Sequence, residues 1–75
     1  MQNHMLHPVA RNVRAEMSRR QITQAVVARR LNLSQSAVSL RLTGSAEFKV
    51  SELQAVAELL GVSTASLLLP VEVAA

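Results

Sequence analysis

Between Leu31 and Gln35 the chain places an asparagine, a leucine and a serine in succession, and no other stretch constrains its fold as tightly. Asparagine is second only to glycine in tolerating the left-handed backbone that ends a helix, so Asn32 predicts a stop. A serine hydroxyl accepts from the free backbone N–H groups of a helix start, so Ser34 predicts a new helix two residues later. Leu33 between them can plug a core. Upstream, Thr23 can cap a helix of about eight residues whose inward stripe is Val27, Ala28 and Leu31, with Arg29 and Arg30 pointing away. Downstream, a third helix is expected over Gln35 to Thr43, until Gly44 stops it. The two helices are thus short and joined by a tight turn.

The flanks supply further helices. Pro8 suits a first helical turn, and Val9, Val13 and Met17 recur at four-residue spacing beside Ala10, which predicts helix one over about 8 to 20. Gly44 to Lys49 reads as a loop with Phe48 as its apolar anchor. Helix four is expected to start at a capping box of Ser51 with Gln54 and to turn Leu53, Val56, Ala57 and Leu60 inward. Gly61 ends it, with Val62 as the accompanying apolar contact. Ser63 caps a fifth helix over 64 to 69, which Pro70 terminates. The expected organisation is a flexible leader (1–7), one all-α domain of five helices (8–69) and a tail (70–75) whose last five residues fray.

Composition narrows the class. A chain of 75 residues without cysteine has no disulfide staple, and His4 and His7, two ligands in a leader, do not make a metal site. The longest unbroken apolar run, Leu67 to Val71, is too short to span a membrane, no targeting segment is visible, and a 49% apolar content is too high for disorder. Cytoplasm is the expected location. No phosphate loop, nucleophile elbow or acid pair is present, so neither an enzyme nor a cofactor or small-molecule ligand is expected.

Charge is segregated. Residues 1 to 49 hold all eight basic residues against Glu16 and Glu47, a balance of +6, whereas residues 50 to 75 hold only Glu52, Glu58 and Glu72, a balance of −3. Such asymmetry is the footprint of a polyanion partner or, more blandly, a solvated basic face. Two short helices with a tight turn describe a helix-turn-helix, whose second member enters the DNA major groove. The third helix supports this. Val38 and Leu42 face inward, while Gln35, Ser36, Ser39, Leu40 and Thr43 form an outer face that is polar but uncharged. An ordinary solvated face carries Glu and Lys, whereas an amide and hydroxyls suit base edges. Leu40 there can meet thymine methyl groups or be a stray surface leucine. Gln24, at the start of helix two, can reach a phosphate with its side chain and the free N–H groups. Arg19, Arg20, Arg29, Arg30 and Lys49 are candidates for phosphate neutralisation. Phe48, the lone aromatic, is a core plug before it is a base-stacking platform.

The chain resembles the Cro and repressor (XRE) family of phage and bacterial regulators. The resemblance lies in Thr23-Gln24, Val27-Ala28, Leu31, Leu33-Ser34-Gln35-Ser36, Val38-Ser39 and Leu42-Thr43-Gly44, flanked by Val13-Arg14, Met17, Phe48-Lys49-Val50, Leu60-Gly61-Val62 and Leu67-Leu68. It covers about residues 9 to 69 and implies a lambda-repressor-like five-helix domain that binds a double-stranded DNA operator. It further implies base contacts from Gln35, Ser36 and Ser39, a Gln24 that bridges a phosphate and Gln35, and a phosphate contact near Thr43. Arg41 departs from the family pattern, standing where many relatives have an inward aliphatic residue, and is expected to lean toward the DNA backbone. Leu40 stands where others place a polar base reader.

One expectation concerns assembly. Three consecutive leucines, Leu67, Leu68 and Leu69, sweep about 200° of a helix, so at least one should stay exposed and form a weak two-fold homodimer through helix five. Pro70 and Val71 folding back over them is the rival. The rival function is an antitoxin-like protein-interaction module that uses Leu67 to Ala75. A phage or a bacterial host, repression or activation, and Met1 or Met5 as natural start stay open.

Overall fold

The computed structural model describes residues 8–70. Helix α1 (Pro8–Arg20) opens at proline, whose missing N–H costs nothing in a first turn, and buries Ala10, Val13 and Met17, with Val9 partly covered. It stops where Gln21 turns left-handed at φ 56° and the Ile22 N–H reaches back to the Met17 carbonyl at 2.9 Å. Thr23 then caps α2 (Gln24–Leu31) by accepting from the Val26 N–H.

Asn32 ends α2 in the left-handed conformation, φ 60°, as expected, and the Leu33 N–H closes back on the Ala28 carbonyl at 2.9 Å while its side chain packs on the core. Ser34 accepts from the Ala37 N–H at 3.0 Å and starts α3 (Gln35–Leu42). Thr43 is the C-cap of α3, one residue short of the expected end. Gly44 follows at φ 86°, a region that favours glycine, and the N–H groups of Ser45 and Ala46 both reach the Leu40 carbonyl.

The start of α4 (Val50–Leu60) corrects the sequence reading. Its N-cap is Lys49, and the Glu52 carboxylate accepts the Lys49 N–H at 3.0 Å, so Ser51 and Gln54 form no capping box. A carboxylate in the first turn also meets the positive end of the helix dipole, which offsets the lack of a capping side chain on lysine. The stripe Leu53, Val56, Ala57, Leu60 is buried as expected, and Gly61 ends the helix at φ 73°. Ser63 caps α5 (Thr64–Leu68), with the Ser66 N–H donating to its hydroxyl at 3.1 Å. Leu69 is already extended because the residue before a proline is pushed out of the helical region.

α1 lies against α3, α4 and α5, and α2 against α3 and α4. Eleven side chains from all five helices form the core, among them Val13, Val27, Val38, Val56 and Leu67, with Phe48 and Leu33 packed on its edge. No polar side chain is buried among the described residues. Leu67 is 1% exposed, so it belongs to this core and cannot serve as the interface residue it was expected to be; Leu68 and Leu69 remain 52% and 59% exposed. Asn12 on α1 fastens the end of α5, its Nδ2 donating to the carbonyls of Leu67 at 2.8 Å and Leu69 at 2.7 Å. The leader (1–7) with its two histidines and the tail beyond Pro70 lie outside the described residues.

Candidate nucleic-acid interface

Ser34 and the α2–α3 turn hold α3 across α2 so that its outer face looks away from the core. Gln35 and Ser36 are exposed, Ser39 is half-buried and Leu40 is 51% exposed. The side-chain hydrogen bonds of α3 and its caps run from Ser34, Arg41 and Thr43 instead, so among the described residues the Gln35, Ser36 and Ser39 side chains keep their hydrogen-bonding capacity free. Gln24 is likewise exposed and free at the first position of α2, with no bond to Gln35. Unpaired first-turn N–H groups of α2 and α3 add the partial positive charge of two helix N-termini beside these residues.

The basic residues divide into free and engaged. Arg29 on α2 and Lys49 before α4 are exposed, with no carboxylate within ion-pair distance among the described residues. Arg19 and Arg20 share Glu16 on α1, Arg19 at 2.7 Å, and Arg30 pairs with Glu58 of α4. All three are surface pairs, worth at most about 1 kcal/mol, so a phosphate can compete for them. The Thr43 hydroxyl donates to the Leu40 carbonyl at 3.1 Å and lies 3.2 Å from the Ser45 hydroxyl, at the exposed C-terminal end of α3.

Arg41 corrects the sequence reading. Instead of leaning toward DNA it turns to α4, where Nε and Nη2 donate to the two Glu52 oxygens at 2.8 and 3.3 Å while Nη1 donates to the Ala37 carbonyl at 3.0 Å. The two side chains are only 14% and 12% exposed. Burial pushes the Glu52 carboxyl up, but the hydrogen bonds from Arg41 and from the Lys49 amide, with the charges of both residues, outweigh it and hold the carboxyl below the usual range. Two residues of this region escaped sequence reasoning. Glu52 carried one signal, its place three residues after Lys49; Arg14, which donates from α1 to the Leu42 carbonyl at the end of α3, was marked only by the family resemblance.

Two short capped helices, with the second presenting an uncharged polar face between helix N-termini and basic residues, define a helix-turn-helix DNA-binding unit. A family model, described as helix-turn-helix, matches residues 13–67, well over half of the chain. The chain belongs to this XRE-type, Cro-like family and is a DNA-binding transcription regulator whose partner is double-stranded DNA. The family is one of regulators and not typically of enzymes. No curated protein and no solved structure shows a significant match. No helix among the described residues is long and apolar enough to cross a membrane, and no group of three or more potential metal ligands occurs among them.

Proposed function

We propose that the chain is a repressor of the phage or bacterial Cro kind that reads a palindromic operator through the major groove. The observation that carries this reading is the outer face of α3, where an amide and two hydroxyls carry no charge and have no hydrogen-bond partner among the described residues. Gln35 can pair bidentately with adenine, Ser36 and Ser39 can donate or accept at base edges, and exposed Leu40 can cover a thymine methyl. Gln24, Arg29, Thr43 and Lys49 then hold phosphates, with Arg19, Arg20 and Arg30 as further cations once released from their carboxylates.

Dimerisation is the second part of the reading. Leu68 and Leu69, together with Val50 at 73% exposure, leave apolar surface at the α5 end of the molecule. A two-fold contact there, carried by Leu68 and Leu69 and not by Leu67, sets two copies of α3 about 34 Å apart, one turn of the duplex. Burying one or two leucines per subunit is worth about 1.5 to 3 kcal/mol each, so the contact is weak and assisted by DNA.

Selection of duplexes from a randomised pool, followed by footprinting, tests the whole reading. The expected product is a two-fold symmetric site with protection on one face of the helix. Uniform recovery of all sequences would reject sequence-specific repression, and an asymmetric site holding one protein molecule at saturation would reject the dimer.

A further inference from the structure

On α3, Arg41 follows Ser39 by two positions and lies about 200° around the helix from it. Its planar fork is fully engaged on that far side, with two nitrogens on Glu52 and the third on the Ala37 carbonyl one turn back. Glu52 in turn accepts the Lys49 N–H that begins α4, so one carboxylate joins the flank of α3 to the first turn of α4 across the intervening loop. On the other side Arg14 of α1 grips the Leu42 carbonyl. Polar contacts from two directions therefore hold the last turn of α3, while Ser34 and the α2 turn hold its first.

Resting on the DNA-binding reading above, we propose that Arg41 and Glu52 are a positioning pair: they set the angle at which Gln35, Ser36 and Ser39 meet base edges, and Arg41 itself does not touch DNA. Three features carry this. Withdrawing Arg41 toward a phosphate would leave the Glu52 carboxylate, 12% exposed, with only the Lys49 N–H as a hydrogen-bond partner, an unfavourable state. Base readout depends on hydrogen bonds whose strength falls steeply with distance and angle, so a small tilt of α3 is costly on the right sequence and nearly free on a wrong one. Finally, stability is a weak reason for such a pair, because apolar residues of similar volume commonly replace a largely covered ion pair without loss.

The test uses duplexes selected from a randomised pool by the unmodified chain, against a scrambled duplex, over a range of salt. Arg41→Met and Glu52→Gln change the net charge in opposite directions. The proposal requires both to lower the ratio of selected-site to scrambled affinity, by about tenfold, and requires Arg41→Met to leave the salt slope on the scrambled duplex unchanged. If instead Arg41→Met weakens both duplexes alike with a slope lower by about one, and Glu52→Gln strengthens both alike, Arg41 is a phosphate ligand and the proposal is overturned. An unchanged ratio in both variants overturns it equally. Melting curves show that each variant is folded; should Arg41→Met not fold, Arg41→Lys, which keeps the charge and loses the fork, must lower the ratio in its place. Failure of the unmodified chain to enrich any site would overturn the DNA reading and this inference together, whereas enrichment with an unchanged ratio overturns the inference alone.

Discussion

The α2–α3 unit and the α4–α5 end of the molecule both expose groups that water alone serves poorly or leaves unused, but of opposite kinds. The first presents amide and hydroxyl groups without a hydrogen-bond partner among the described residues, within the half of the chain that carries a charge of +6; the second presents Leu68, Leu69 and Val50, within the half that carries −3. Hydrogen-bonding groups without charge discriminate among partners of patterned polarity, whereas exposed leucines only ask to be covered. On the proposed reading one surface chooses a sequence and the other recruits a second copy, and placing them on different helices lets each be altered without the other.

The comparison is sharpest at two adjacent residues of α5. Leu67→Ala opens a cavity in the core and should cost about 2 to 5 kcal/mol in urea unfolding. Leu68→Ala should shift unfolding by no more than about 0.5 kcal/mol while weakening self-association seen by sedimentation. Equal effects of the two on unfolding would mean that α5 has no outward face.

On the other surface, Gln35→Ala should cost about 1 to 3 kcal/mol on the selected operator and leave binding to random duplex intact, as titrations on both duplexes would show. Equal losses would remove Gln35 from base reading. Arg29→Ala should weaken every sequence alike and lower the salt slope by about one, with Arg30→Ala doing less because Glu58 already shares its charge. A slope unaffected by Arg29→Ala would leave that arginine to solvent.

The smallest effect is a titration. The Glu52 carboxyl titrates lower in the folded chain than in the unfolded one, so it contributes stability that is fully present above the ordinary carboxyl value of the unfolded chain and is lost as pH falls through the lower folded value. Unfolding measured from neutral to acid pH should show this loss, and Glu52→Gln should flatten it. An acid limb of the same depth in Glu52→Gln would place the responsible carboxylate elsewhere.

The turn between α2 and α3 was legible in the sequence because its determinants are local. The hydroxyls of Thr23, Ser34 and Ser63 accept from N–H groups three residues on, and Asn32 and Gly61 need only their own backbone angles to end a helix. The inward stripes and the uncharged outer face of α3 followed from the helical repeat for the same reason. The family membership was legible too, since the resemblance rests on the register of those same positions.

What only the tertiary structure decided is which charges are spoken for and which leucine is covered. Arg41 and Glu52 are 11 residues apart, and Arg30 and Glu58 are 28 apart; neither partner can be chosen until α4 lies against α2 and brings its first turn within reach of Arg41. The start of α4 at Lys49 depended on the same packing, because Glu52 caps it from a position fixed in part by Arg41. Among Leu67, Leu68 and Leu69 the helical repeat requires that at least one point outward, but the docking of α5 on α1 and α4 selects Leu67 for the core. Local hydrogen bonds are settled within one turn of chain, whereas an ion pair or a buried face is settled by whichever elements the fold brings alongside.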